Sequence, residues 1–305
     1  MTLVSPPVAA SSDGPLSMTD SFPPVALRDL VALIKPRLAS LVLFTTAGGA
    51  WLAGASLTWP VTLYALLGTT LAVAGAHSLN CYLERDLDAL MHRTRNRPLP
   101  AGRVDPKLAL TLGLACAAVS LPILALGTNA LTAALGLLAL VSYVLVYTPM
   151  KTRSAWALGV GALPGALPPL MGWTAITNRL EAPGLVLFAI LFLWQLPHFL
   201  AIALMLKADY DRAGMKTVPQ VMGDRNARAQ AALYTALLVP MPLLLVPLHV
   251  AGTAFAVIAS LLGVAFLGWS LVGLRRDPGP TWARREFLLS LVYLTGLFGA
   301  LGLRG

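Results

Sequence analysis

Long runs of apolar residues follow one another along nearly the whole chain, and the short segments between them carry most of the charged residues. Each run has about 20 residues, the length that a helix needs to cross a hydrocarbon layer roughly 30 Å thick. The alternating segments of about 10 residues that a transmembrane barrel requires do not occur in the sequence. The pattern therefore predicts an all-α, polytopic membrane protein with nine transmembrane helices, at residues 38–57, 60–83, 108–126, 129–148, 155–176, 184–206, 230–249, 251–273 and 285–303.

Composition excludes a water-soluble enzyme. Of the 305 residues, 57% are hydrophobic and 11% are charged, with a mean hydropathy of +0.75, whereas soluble domains carry about 25% charged residues. Residues 1–24 are rich in Pro and Ser and lack the pattern of a secretory signal, so we expect a disordered tail there. Residues 25–305 are expected to form one transmembrane domain.

The net charge of +9 is explained by membrane topology and does not indicate nucleic-acid binding. Of the 22 Lys and Arg residues, all except Arg179 and Arg304 fall in the N-terminal segment or in the loops after the second, fourth, sixth and eighth predicted spans. Cytoplasmic loops of membrane proteins carry an excess of basic residues. The N-terminus is therefore predicted to be cytoplasmic.

Acidic residues close the second predicted span. On a helix, Asn80, Glu84 and Asp88 spread over only about 80°, and His77 falls on the same face. Two neighbouring carboxylates repel each other unless a cation lies between them, and oxygen ligands suit Mg²⁺. This face is a candidate magnesium site.

Arginines follow that acidic face directly, at positions 93, 95, 97 and 103. Guanidinium groups match phosphate oxygens in bidentate fashion. The combination favours a metal-bridged diphosphate, with a solvated loop of salt bridges as the alternative. A second acid-base stretch with Lys207, Asp209 and Arg212 closes the sixth span, and helical phase puts His198 on the face of Asp209 if that helix is continuous.

The run from Asn80 to Gly102 resembles the signature of the UbiA superfamily of intramembrane prenyltransferases, with Glu84 where the family often has Asp. Further stretches resemble the heme O synthase branch of that superfamily. They are Lys35–Arg37, Tyr147–Lys151 with the following 161–169 segment, and Trp194–Phe199 with Asp209, Tyr210, Ala213 and Gly214.

The resemblance implies an enzyme that transfers the farnesyl group of farnesyl diphosphate to a vinyl group of heme B, with addition of water, at a cavity on the cytoplasmic side. It implies Mg²⁺ as the cofactor and the inner membrane of a bacterial-type cell as the location. A heme A synthase or a terminal-oxidase assembly pathway would be the downstream partner. The implied catalytic residues are Asn80, Glu84, Asp88 and Asp209, of which Glu84, Asp88 and Asp209 bind the metal, while the implied substrate-binding residues are Arg93, Arg97, Lys151, Lys207, Tyr147, His198 and His77.

Alternatives remain open from the sequence. His77 and His198 either contact heme or form hydrogen bonds between helices. A related enzyme could prenylate an aromatic acid or a quinone precursor. A porphyrin or lipid transporter, or a heme-binding assembly factor without activity, belongs to a different class; a transporter would be expected to keep its polar groups near the membrane midplane.

Overall fold

The computed structural model describes residues 25–54, 59–276, 278–279 and 281–302, without the side chain of Arg37. Within these ranges all regular structure is helical and no strand occurs, so the all-α prediction is confirmed. The predicted tail at residues 1–24 and Arg304 lie outside the described residues. The division into a tail and one transmembrane domain stays a prediction.

Fourteen α-helices make up the described chain. A π-helical segment, Ser142–Tyr147, joins α6 to α7, and a 3₁₀ turn, Pro242–Leu245, follows α12. The helices are α1 Leu27–Ile34, α2 Pro36–Leu52, α3 Trp59–Leu83, α4 Arg85–Leu90, α5 Pro106–Gly127, α6 Ala130–Val141, α7 Thr148–Met150, α8 Ala157–Thr177, α9 Ala182–Met205, α10 Lys207–Arg212, α11 Val218–Met222, α12 Asp224–Leu238, α13 Thr253–Val272 and α14 Trp282–Leu301.

Several of these helices are long and apolar enough to cross a membrane, which confirms a multi-pass integral membrane protein. Among the described residues six helical segments meet both criteria, and the bent pair α1–α2 raises the number to seven. Helices α8 and α14 occupy the predicted fifth and ninth spans but do not belong to this set. The count of nine and the cytoplasmic N-terminus stay predictions.

Small residues bring helix backbones into contact in the first half of the bundle. A Cβ atom on Gly49 in α2 would overlap the carbonyl oxygen of Pro169 in α8, and one on Gly172 would overlap the carbonyl oxygen of Thr46. A Cβ atom on Gly75 in α3 would lie 2.9 Å from backbone atoms of α5. In a membrane, where no hydrophobic force draws helices together, such close van der Waals packing stabilises the bundle.

Candidate active site

An apolar cavity of about 300 Å³ lies inside the bundle, between α2, α3, α6, the π-helical segment, α8 and α9. Most of its lining is aliphatic, with a few polar side chains among them. Ligand pockets typically combine an apolar wall with a small number of polar groups that orient the ligand. The polar lining residues are Thr45, Thr69, His77, Tyr143, Tyr147, Gln195 and His198.

Local sequence features open this cavity. The π-helical segment widens the helix that carries Tyr143 and Tyr147, and π-segments of this kind are frequent at functional sites. Gly161 in α8 makes room for Tyr147, because a Cβ atom there would overlap the tyrosine ring. In the same way Gly165 makes room for the amide of Gln195.

The acidic face predicted at the end of α3 is present in the structure. Helix α3 ends at Leu83, but the backbone amide of Glu84 donates to the backbone carbonyl of Asn80 at 2.9 Å. The backbone amide of Asp88 donates to the backbone carbonyl of Glu84 at 2.7 Å. Helical spacing therefore continues through the junction with α4. Asn80, Glu84 and Asp88 are only 2%, 5% and 1% exposed, which excludes a solvated loop at these three positions.

Glu84 is neutralised by a lysine from a distant part of the chain. The ammonium group of Lys151 lies 2.7 Å from Oε1 of Glu84 and 4.5 Å from the ring centroid of Tyr147. Burial by itself would lower the pKa of Lys151, but Tyr147 and Glu84 outweigh burial and hold that pKa above its usual range. Because Tyr147 also lines the cavity, this ion pair lies next to it.

Asp88 is neutralised by the loop that follows α4. One guanidinium nitrogen of Arg97 donates to both carboxylate oxygens of Asp88, at 2.9 and 2.7 Å. The hydroxyl of Thr94 donates to the backbone carbonyl of Asp88 at 2.8 Å. These bonds fold the arginine-rich loop over the acidic face, as a diphosphate site would require.

Asn80 is held by two residues that the sequence analysis did not single out as site residues. Lys35, between α1 and α2, donates to Oδ1 of Asn80 at 3.3 Å, and the Asn80 amide donates to the hydroxyl of Thr148 at 3.3 Å. Both residues lie in stretches that carried the family resemblance, which is the signal that would have found them. The three segments meet only in the tertiary structure.

Asp209 lies in α10 and contacts the loop after α4, apart from the acidic face of Asn80, Glu84 and Asp88. It accepts hydrogen bonds from the backbone amides of His92 and Arg93, both at 3.3 Å, and from the guanidinium of Arg212. Partial desolvation opposes ionisation, but these donors outweigh it and hold the pKa of Asp209 below its usual range. Asp209 therefore ties the loop after α4 to α10.

The expected common helical face of His198 and Asp209 depends on a continuous helix and stays a prediction. Helix α9 ends at Met205 and α10 begins at Lys207, but the backbone amide of Leu206 donates to the backbone carbonyl of Ile202 at 2.9 Å and that of Tyr210 donates to the backbone carbonyl of Leu206 at 3.0 Å. Helical spacing therefore continues through this junction, as it does at Glu84. His198 lies buried inside the bundle. Lys207, expected near the diphosphate, pairs with Asp224 at 2.8 Å instead of with the buried carboxylates.

The two histidines inside the bundle both line the cavity. The ring of His77 meets that of Tyr143 edge-on at 5.8 Å, and its Nδ1 is buried with no hydrogen-bond partner in the described chain. Nδ1 of His198 lies 2.7 Å from the hydroxyl of Ser290 in α14. His198 thus forms the interhelical hydrogen bond of the alternative interpretation and also faces the space where a ligand would lie.

The donors at the acidic face fit Mg²⁺ chemically. Asn80, Glu84 and Asp88 offer buried oxygen ligands, and each carboxylate is paired with a basic side chain that phosphate could attract away from it. Within the described ranges no three His, Cys, Asp or Glu side chains are close enough to hold a metal ion by themselves. Asp209 is therefore not brought into one group with Glu84 and Asp88, so a substrate phosphate and water would have to complete the shell.

Comparison with known proteins gives a family match over most of the chain. The UbiA prenyltransferase family matches residues 41–292. A protoheme IX farnesyltransferase of Myxococcus xanthus is 56% identical over 284 residues, which cover 93% of this chain and 96% of that protein. One of Anaeromyxobacter dehalogenans is 56% identical over 275 residues, or 90% and 93% of the two chains.

Solved structures share the fold. A structure of a digeranylgeranylglyceryl phosphate synthase superimposes with a TM-score of 0.76 at 15% identity and covers 90% of this chain and 96% of that chain. A UbiA homologue from Archaeoglobus fulgidus, bound to DMAPP and Mg²⁺, superimposes with a TM-score of 0.66 at 17% identity and covers 90% and 99%.

Proposed function

The chain belongs to the UbiA prenyltransferase family, and on that premise we propose that it transfers the farnesyl group of farnesyl diphosphate to a vinyl group of heme B. The observation that carries the proposal is the arrangement of an apolar cavity beside buried Glu84 and Asp88, each paired with a basic side chain. The names of the relatives at 56% identity support heme as the acceptor.

The charged side chains beside the cavity bind the diphosphate. Glu84 and Asp88, with Asn80 beside them, would hold Mg²⁺, which when bound neutralises part of the charge on the leaving diphosphate. Asp209 would take part in the metal site only through a bridging water or phosphate. Lys151 and Arg97 exchange their carboxylate partners for phosphate oxygens, with Arg93 as a further donor from the loop and Lys207 at the edge. Because these groups are already positioned, they stabilise the charge that develops as the bond between C1 and oxygen breaks.

The apolar wall protects the allylic cation. Aliphatic side chains of α2, α3 and α6 line the cavity and exclude water from C1 until the terminal vinyl carbon of heme captures it. Water then adds to the inner vinyl carbon and loses a proton, which leaves the hydroxyethylfarnesyl side chain and free diphosphate. Tyr147, His77 and His198 contact the substrates in this proposal, and their position in the cavity lining supports it.

The site opens towards the cytoplasmic side in this proposal, since the basic loops lie next to it. The product would pass to a heme A synthase or to terminal-oxidase assembly in the inner membrane. A transporter of porphyrins or lipids is disfavoured because the buried carboxylates lie where α3 ends, not in its middle.

Incubation of the purified protein with heme B, farnesyl diphosphate and Mg²⁺, followed by mass analysis of the extracted heme, tests the proposal. We expect a farnesyl-plus-water adduct that disappears with a chelator and with Asp88→Asn. Asp86→Asn is the matched control, because Asp86 lies on the same short helix α4 with its side chain 86% exposed. Unmodified heme together with prenylation of an aromatic acid or quinone precursor would contradict heme as the acceptor.

A further inference from the structure

The ring of His198 is clamped between α9 and α14. Trp194, one turn earlier on α9, stacks on it at 4.8 Å between centroids, and Phe287 of α14 contacts it at 4.8 Å. The indole nitrogen of Trp194 also donates to the backbone carbonyl of Ser290 at 2.6 Å. These contacts hold Ser290 and the His198 ring in one relative position.

The hydrogen bonds of Ser290 determine which nitrogen of His198 carries the proton. The Ser290 hydroxyl lies 2.6 Å from the carbonyl oxygen of Phe287, which can only accept, so the single hydroxyl proton is donated there. The contact of 2.7 Å between the same hydroxyl and Nδ1 of His198 then requires Nδ1 to be the donor. A neutral imidazole protonated on Nδ1 has a free lone pair on Nε2.

The packing leaves one ring nitrogen of His198 for a ligand in the cavity. His198 lines the cavity, whereas none of the described residues of α14, including Ser290 and Phe287, belongs to its lining. Nδ1 is therefore engaged by a helix that does not line the cavity. Nε2, the other ring nitrogen, is the one left for a ligand inside the cavity.

We propose that Ser290 is a positioning residue that fixes the Nδ1–H tautomer of His198, so that Nε2 binds the iron of the heme substrate as an axial ligand. The inference rests on the proposed function for the identity of the ligand. A lone pair can coordinate iron but cannot donate a hydrogen bond to a heme propionate, so the tautomer selects iron over propionate. Ser290 is itself fully buried, and we infer that it acts only through His198.

The tautomer can be tested without heme, by nitrogen NMR of the full-length protein labelled with ¹⁵N-histidine. The chain has four histidines, and the His198 signals are assigned by their loss in His198→Gln. We expect a protonated Nδ1 and an unprotonated Nε2, with Ser290→Thr like the wild type and Ser290→Ala shifted towards the other tautomer. A wild-type spectrum with a protonated Nε2 would overturn the inference.

Binding of heme B tests the consequence. Loss of an outer hydrogen-bond partner typically weakens metal binding by about 10- to 100-fold, so Ser290→Ala should weaken heme binding by that factor and change the axial-ligand signature in electron paramagnetic resonance. Ser290→Thr should restore both. Ser120→Ala is the matched control, because Ser120 is equally buried in α5 and makes the same hydrogen bond to the carbonyl three residues earlier, at 2.8 Å.

The outcomes separate this inference from the proposed function. If heme binds and is farnesylated, but shows no histidine ligand and no effect of Ser290→Ala, this inference is overturned and the proposed function is not. A wild-type protein that does not bind heme overturns the proposed acceptor, and with it the assignment of the ligand, while the NMR result on the tautomer stands on its own.

Discussion

The ammonium group of Lys151 lies 2.7 Å from the carboxylate of Glu84, so a residue that follows α7 neutralises one that follows α3. Both side chains are largely buried, with 17% and 6% exposure. Loss of one partner of a buried pair leaves an uncompensated charge in a medium of low dielectric constant. The pair therefore links stability to the chemistry proposed for the site.

Lys151→Met is expected to lower the free energy of unfolding by about 3 kcal/mol, because Glu84 then remains buried without a cation. The double variant with Glu84→Gln should recover most of this loss and still lack activity. Denaturant titrations in detergent measure the free energy of unfolding of both variants, and the farnesylation assay measures their activity. Lys107→Met, at an exposed position, is the control and should stay within about 0.5 kcal/mol of the wild type. Equal stability of Lys151→Met and the wild type would contradict the pair's contribution.

Arg97→Ala is expected to reduce kcat by a factor of about 10² to 10³, which is the usual effect of removing one positioned hydrogen-bond donor to a developing negative charge. Arg97→Lys keeps the charge but loses the planar guanidinium and should lie between Ala and the wild type. Arg95→Ala serves as the control, since Arg95 lies two residues earlier and is exposed. If the two alanine variants lose activity equally, Arg97 has no special part in binding the diphosphate.

Gly172→Ala is expected to destabilise the bundle by about 2 kcal/mol, because the added methyl group would overlap the carbonyl oxygen of Thr46 and force α2 away from α8. Gly159→Ala on the same helix has no atom within 4 Å of the new methyl group. It should be neutral or stabilising by up to about 1 kcal/mol, because alanine favours the helix. Thermal unfolding of the two variants checks the difference.

Protonation of Asp209 is expected to weaken the contact between the loop after α4 and α10. The folded-state pKa lies below the usual value, so the stabilisation is present above the usual pKa and is lost as the pH falls through the folded-state pKa. The difference in melting temperature between wild type and Asp209→Asn should therefore shrink on acidification. Asp211→Asn, at an exposed neighbouring position, should show no such trend. A constant difference down to low pH would argue against the carboxylate's part in this contact.

Helix positions were predictable where length and hydropathy decide them. The predicted spans 60–83 and 184–206 lie within two residues of α3 and α9. The predicted span at 230–249 was less accurate, because α12 begins earlier, at Asp224, and a 3₁₀ turn from Pro242 replaces its end. Apolar length does not reveal where a helix with a polar first half begins, or where prolines end it.

Of the candidate site, the local part was predictable. The spacing of Asn80, Glu84 and Asp88 already places them on one helical face, since this depends only on the helical repeat. Helical phase did not reveal that His198 contacts Ser290 while Asp209 contacts the loop after α4. Lys35, Thr148 and Ser290 could not be found by spacing, because their partners lie more than 40 residues away in the chain.

The sequence by itself determined a helical membrane protein with an acidic face followed by arginines, because hydropathy, helical period and charge act over a few turns of one segment. Only the tertiary structure decided that Lys151 and Arg97 neutralise that face, that a cavity lies beside it, and that Ser290 contacts His198. Those relationships depend on how helices pack at close range, and glycine contacts such as Gly49 with Pro169 set that packing.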